Sequence, residues 1–194
     1  PQLKNIAPPS VLKDIKNATD RLRLAISDGE YIGVLTDYDA DGLTSHAVIT
    51  HALNRFGVSE KHISHWIGHR LEDGYGISEN LVDRLLGSED IPDVVITADC
   101  GSSDESQIAR LKNAGIDVVV TDHHRVSDDG PPQSACAVVN PNRTDCLYPD
   151  KAIAGCLVSW LVMSQLRQEL VDYGVLHGSV SKLGDLLDYV ALGT

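Results

Sequence analysis

An α/β fold is predicted: a parallel sheet of about five strands, helices on both faces and a more helical C-terminal part. Three observations predict it. Short β-branched runs alternate with segments of helical periodicity, the pattern of βαβ units. Four of those runs end directly in unusual polar clusters, and in parallel sheets ligands bind outside the carboxyl ends of the strands. Beyond about residue 150 the short runs stop and helical spacing takes over.

Residues 9–28 read as a helix, started by Pro8, Pro9 and Ser10, carried by Leu12, Ile15, Ala18, Leu22, Ala25 and Ile26, and stopped by Gly29. Residues 31–36 read as a short buried strand, followed by an acidic loop over 37–42. Leu43, Ala47, Val48 and Leu53 then predict a helix closing near Phe56 and Gly57. Residues 62–67 form a second strand, and a polar, glycine-containing loop follows over 68–76. Ser78 is a good N-cap for a helix carrying Leu81, Leu85 and Leu86, with Gly87 as its stop. Residues 93–98 make a third strand that runs into Asp99. A helix with Ile108, Leu111 and Ala114 follows, ended by Gly115, and Gly101, Ser102 and Ser103 are read as its opening. Residues 117–121 are a fourth strand, ending at Asp122, His123 and His124. A fifth, over 136–139, ends at Asn140. Residues 152–170 read as a buried core helix, too interrupted for a membrane span, and 183–192 as a further helix. The organisation is then an N-terminal helical segment (1–28), an α/β core (29–150) and a helical continuation (151–194), with no internal repeat.

A chain of 194 residues, 42% hydrophobic, can bury a sizeable core without staples. It has no apolar run long enough to cross a bilayer and no signal-peptide pattern in PQLKNIAPPS, so a soluble, cytoplasmic protein is expected. Cys100, Cys136, Cys146 and Cys156 lack CxxC spacing. Structural zinc is therefore not expected, and buried free thiols are. The formal charge of −12 argues against a broad phosphate-gripping surface. A divalent metal centre among the acids would still let an acidic protein take a phosphodiester.

Asp37, Asp39 and Asp41 stand at alternate positions straight after an apolar strand. Like charges so close repel unless a positive partner offsets them, and a hard cation such as Mg²⁺ or Mn²⁺ is the simplest one. A solvated turn is the alternative. An EF-hand fails, because its twelfth position is Val48 and a strand precedes it. A haloacid-dehalogenase-type phosphatase lacks its threonine, and neither a P-loop nor a Rossmann glycine pattern is present. Asp99, Asp122, His123 and His124 add a mixed oxygen and nitrogen set from neighbouring strand ends, suited to Mn²⁺ better than to Ca²⁺. One of the two adjacent histidines is expected as a ligand and the other as free to meet substrate. Trp66, Trp160 and the remaining histidines are expected to pack rather than to bind.

In order along the chain, Asp37-Tyr-Asp39-Ala-Asp41-Gly42, Asp99-Cys-Gly101, Thr121-Asp122-His123-His124 and Asn140-Pro141 resemble the motifs of the DHH phosphoesterase superfamily. The loop from Arg70 to Tyr75-Gly76 and the ending Ala191-Leu192-Gly193-Thr194 resemble its RecJ branch of single-strand-specific 5′ to 3′ exonucleases, over roughly residues 31–194. The resemblance implies two Mn²⁺ or Mg²⁺ ions, with Asp39 and Asp41 each favouring one, Asp99 bridging and His123 completing a shell. Asp37 would be a ligand or an outer acceptor. His124 would face the scissile phosphate, and Asp122 would orient a histidine or brace the loop. Arg70 would clamp a phosphate, Tyr75 would stack on a base or merely pack, Gly101 and Ser102 would offer backbone N–H groups to an anion or simply cap the helix, and Asn140 would meet substrate. Also implied are single-stranded nucleic acid as partner, DNA before RNA, a further metal-binding aspartate just past Thr194, and C-terminal domains or a partner subunit. Weak activity of this segment alone is expected. The competing readings are a phosphoesterase for oligonucleotides, cyclic dinucleotides or pyrophosphate, and an inactive replication- or repair-associated binding module.

Overall fold

A computed structural model describes residues 6–180 and 182–194; residues 1–5 of the predicted N-terminal segment and Ser181 of the tail lie outside the described residues. The elements run α1 (Ile15–Asp28), β1 (Ile32–Thr36), α2 (Ala40–Arg55), β2 (Ile63–Ile67), α3 (Glu79–Leu86), β3 (Val94–Ala98), α4 (Glu105–Asn113), β4 (Asp117–Thr121), β5 (Ala137–Val139), α5 (Gly155–Asp172) and α6 (Leu187–Gly193). The five strands form one parallel sheet in the order β2-β1-β3-β4-β5. Between β1 and β3 the winding reverses, and at such a switch point the connections leave in opposite directions and open a crevice at the strand ends.

Strand side chains alternate between two faces, and both are covered, as predicted. Ile32, Val34, Val94, Ile96, Val119 and Val139 pack with α1, α2 and α5, while Leu35, Val95, Val118, Val120 and Val138 pack with α3 and α4. Burial on both faces is why these strands read as continuous apolar runs rather than as alternating ones. Along α5, Val158, Leu161, Val162, Met163, Leu166 and Leu170 are buried, which accounts for its near-continuous apolar character. Each such large side chain contributes about 1.5–3 kcal/mol on burial.

Several boundaries differ from expectation, the first for a tertiary reason. The first helix begins at Ile15; residues Pro9–Val11 form a separate 3-10 turn, and Asp14 between them is left-handed at φ 62°. There the Asp14 carboxylate accepts from the Val138 N–H and from Arg143, closing the outer edge of β5. Second, the acidic loop is largely the start of α2: Asp39 is its N-cap, accepting from Gly42 N at 3.1 Å, and Asp41 lies in its first turn. Third, α4 begins at Glu105, so Gly101, Ser102 and Ser103 form a turn before the helix rather than its opening. Among the cysteines, Cys100, Cys146 and Cys156 are buried free thiols, whereas Cys136 is exposed just ahead of the short edge strand. The predicted last helix is a 3-10 turn, Leu183–Leu186, leading into α6. Trp160 packs against one core and Trp66 against the other. Among the described residues no helix is long and apolar enough to cross a membrane.

Candidate metal centre

Carboxylates and imidazoles converge where β1, β3 and β4 end. Asp37 follows β1, Asp99 follows β3, and Asp122, His123 and His124 follow β4. Asp99 is 1% exposed and left-handed at φ 61°, a conformation that Asp and Asn tolerate better than other side-chain-bearing residues. Its N–H donates to the Thr121 carbonyl at 3.0 Å, extending the β3–β4 ladder one step into the site.

The histidine pair is held from several sides. Asp122 Oδ1 accepts from the His123 N–H (2.7 Å), the His124 N–H (3.0 Å) and His124 Nδ1 (2.8 Å), and Oδ2 accepts from the Ser102 N–H (2.9 Å). The Asn140 amide donates to the His124 carbonyl at 2.9 Å and to Ser102 Oγ at 2.6 Å, and the Asn142 amide donates to the His123 carbonyl. Burial alone would raise the Asp122 pKa, but the bonds from His124 and Ser102 draw it below the ordinary carboxylate value. The same Asp122 contact raises His124 to about 9, so its ring is an imidazolium at neutral pH, with Nε2 directed away from Asp122.

His123 faces two carboxylates with its metal-competent nitrogen. Its Nδ1 lies 2.9 Å from the Ile153 carbonyl, which can only accept, so Nδ1 bears the proton. Its Nε2 is then left 3.1 Å from Asp99 Oδ1 and 3.5 Å from Asp41 Oδ2. In the neutral ring that nitrogen is a lone pair facing two carboxylates, and a positive charge, proton or metal, must lie among them. Asp99 Oδ1 is buried and accepts no hydrogen bond of sound geometry. A Cβ at Gly155 would stand 2.6 Å from the same oxygen, so the glycine keeps space open beside it. Burial pushes the Asp99 pKa up to about 6, with Asp41 adding to the rise, while the Asp99 carboxylate raises His123 in turn. Asp99 and His123 offer donor atoms within 4.8 Å of one another, with a ring nitrogen of the charged His124 inside the same radius. This oxygen and nitrogen set fits a hard or borderline divalent ion such as Mn²⁺.

The three aspartates of the DxDxD stretch do different things. Both oxygens of Asp41 accept backbone N–H groups at the start of α5, from Gly155 and Cys156, at 2.7 Å each. A carboxylate at a helix N-terminus is favoured by the helix dipole, and here it also ties α2 to α5 beside His123. Asp39 is the half-buried N-cap. Asp37 is buried, which raises its pKa, and its Oδ1 accepts from the Tyr38 N–H at 2.7 Å. A Cβ on Gly42 would come within 2.3 Å of the Asp37 carbonyl, so α2 can begin here only on glycine.

A cavity of 380 Å³ opens over the centre, lined by Asp37, Asp99, His124, Asp104, Tyr75 and Gly76 among others. Tyr75 is 70% exposed, its ring centroid 5.1 Å from that of Tyr38. Arg70 is exposed and makes no ion pair or hydrogen bond among the described residues. Gly101 and Ser102 line the same cavity, but both are buried. A Cβ on Gly101 would lie 2.9 Å from Thr97 Oγ1, and Ser102 is engaged by Asp122 and Asn140. For Asn140 the expected substrate contact gives way to bracing: it is 0% exposed and lies outside the cavity wall, with its amide nitrogen donating twice and its oxygen accepting from the Asn142 N–H. Sequence reasoning missed Asn142, the Ile153 carbonyl, Gly155 and Asp104. Only Asn142, two residues past Asn140 at a strand end, carried a readable signal.

The DHH family, N-terminal domain, matches residues 31–194. The chain is 38% identical over 197 residues to the single-stranded-DNA-specific exonuclease RecJ of Salmonella typhimurium and 36% identical over 197 residues to that of Escherichia coli. Each alignment covers 99% of this chain and 33% of the relative, so the chain spans about a third of the length of these proteins. Among solved structures, an exonuclease RecJ bound to manganese superposes with a TM-score of 0.77 at 32% identity, over 94% of this chain and 43% of that one. A RecJ in complex with Mn²⁺ from Thermus thermophilus superposes with a TM-score of 0.72 at 27% identity, over 94% and 24%.

Proposed function

The chain belongs to the DHH family, and on that premise we propose that it is the metal-binding catalytic part of a 5′ to 3′ exonuclease that hydrolyses single-stranded DNA to mononucleotides. The observation that carries the reading is the convergence of Asp99, His123 and His124, with Asp41 at 3.5 Å from His123, at the β1/β3 switch point. The relatives named as single-stranded-DNA-specific exonucleases and the manganese-bound structures support the substrate and the ion.

In this reading Asp99, His123 and Asp41 would hold the ions, and Asp37 and Asp39 would supply the remaining carboxylates. Two Mn²⁺ or Mg²⁺ ions, when bound, supply an activated water and neutralise charge on the phosphoryl group. The chain's own residues do the rest. His124, charged at neutral pH, offers Nε2–H to a phosphoryl oxygen or to the leaving oxygen. Asp122 does not meet substrate; it fixes the His124 ring and holds its proton, as the buried aspartate of a hydrolase triad does. Tyr75 and Tyr38 offer aromatic faces to a base at the mouth, and Arg70 a bidentate partner for a phosphate. With a charge of −12, the chain has little to track a polynucleotide backbone. Length of grip on the strand therefore comes from C-terminal domains of a longer protein or from a partner subunit, and the segment alone is weakly active. The reading includes a cytoplasmic setting.

The test uses 5′-labelled and 3′-labelled single strands with Mn²⁺, this chain and a longer protein containing it, and an Asp99→Asn control. Mononucleotides released from the 5′ end, and absent from the control, support the proposal. Cleavage confined to dinucleotides or pyrophosphate replaces it with a small-substrate phosphoesterase, and no metal-dependent cleavage by the longer protein leaves a binding module.

A further inference from the structure

Further along α2 from the DxDxD stretch, this helix and the edge strand β2 bring two imidazoles together. His46 Nε2 lies 2.8 Å from His65 Nδ1, with ring centroids 5.1 Å apart and planes inclined by 41°. The other nitrogen of His46 is 3.1 Å from the Thr36 hydroxyl at the end of β1. His46 is half-buried, whereas His65 is exposed on a strand that, among the described residues, has no strand along its outer edge.

We propose that His46 and His65 form a two-imidazole site for a borderline transition-metal ion of the Ni²⁺ or Cu²⁺ class, distinct from the carboxylate centre. Two nitrogens bound in cis at about 2.05 Å stand about 2.9 Å apart when their angle is 90°, and about 3.3 Å apart at the tetrahedral angle. Without an ion the 2.8 Å contact is a hydrogen bond between the two rings, and it already holds the two nitrogens near the separation that adjacent ligands of one ion require. Metal-ligating histidines commonly have their second nitrogen fixed by an outer partner, and the Thr36 hydroxyl does this for His46. Burial, and the like charge of His65, push the His46 pKa down to about 4, so the inner ring keeps a lone pair at neutral pH. The exposed His65 ring can turn so that the two lone pairs converge, and the solvent side leaves positions for water.

The two sites select by ligand type. An all-imidazole pair favours nickel or copper over manganese or magnesium, while the Asp99 centre favours the hard ions. An ion on His46 and His65 would cross-link α2, which carries Asp41, to the sheet edge.

Ni²⁺ is the probe, titrated into His123→Gln protein, which disables the carboxylate centre, and into the same protein also carrying His65→Gln. His65 is exposed, so its replacement leaves the fold in place. Isothermal titration and the ligand-field absorption of bound Ni²⁺ should show one equivalent bound to the first protein, with a raised melting temperature. Affinity should fall at least tenfold in the second, with the melting shift lost. Equal stoichiometry and affinity in the two proteins would overturn the proposal. His46→Gln in the same background must repeat the loss, and Ni²⁺ binding that survives it would overturn the proposal as well.

Discussion

Replacing Asp99 by asparagine should make the metal-free protein more stable while removing its response to manganese. Asparagine keeps the shape and tolerates the left-handed φ of 61°, so the change tests charge rather than backbone. Burial moves the Asp99 pKa from 3.8 to about 6, roughly two units or ~3 kcal/mol. For a carboxyl whose pKa is raised on folding, the native state binds the extra proton between those values. The stability this confers is complete below pH 3.8 and is lost as pH rises through about 6. At pH 8 in EDTA, wild type therefore carries the whole cost and Asp99→Asn does not, with ~3 kcal/mol as an upper bound because the neighbouring His123 shares the proton. For a domain of this size that is about 6–12 °C in melting temperature. Paired melts at pH 8 and pH 4.5, each with and without Mn²⁺, measure it. The gap should shrink at pH 4.5, and the Mn²⁺-induced rise should be present only in wild type. A variant that melts at or below wild type at pH 8 in EDTA would refute the reasoning, since Asp99 would then be held by His123 rather than waiting for a cation.

Asp122→Asn should leave His124 without the contact that lifts it to about 9, so the alkaline limb of the kcat/KM profile should move down toward 6.5. The stability that His124 gains from this contact is present below pH 6.5 and lost as pH rises through about 9; the ring is more than half exposed, so solvent screens it and the rate profile is the better readout. Gly155→Ala would set a methyl 2.6 Å from Asp99 Oδ1; it should cost about 1–3 kcal/mol in denaturant unfolding and abolish Mn²⁺ binding by calorimetry. Asn140→Ala leaves the buried Ser102 hydroxyl and the His124 carbonyl without their donor, which should lower stability by about 1–3 kcal/mol and reduce kcat more than it changes KM.

The sheet was legible because a strand buried on both faces must be a continuous apolar run, and because βαβ connection leaves polar clusters only at one end. Positions set by long-range partners were not. Nothing near Asp14 announces a left-handed break, because its cause is Arg143 and the edge of β5, more than a hundred residues away. Asn140 and Ser102 read as polar groups available to substrate, since a sequence shows polarity but not burial. His46 and His65 looked unrelated because a helix and an edge strand joined by a turn bring them together without any spacing rule.

The DxDxD stretch shows how this limit acts within a single motif. Its local content, three carboxylates after a buried strand, points to a cation, and His123 set against Asp99 and Asp41 gives that cation a reason to be there. The division of labour comes from elsewhere. Asp39 is drawn to the backbone of its own helix, Asp37 is buried beside a glycine that α2 cannot replace, and Asp41 reaches 114 residues along the chain to the first turn of α5. An aspartate that both anchors a helix and faces His123 couples metal binding to the docking of α5. Loss of the Asp41 charge should therefore loosen α5 as well as weaken the ion, whereas loss of the Asp39 charge should disturb only the start of α2.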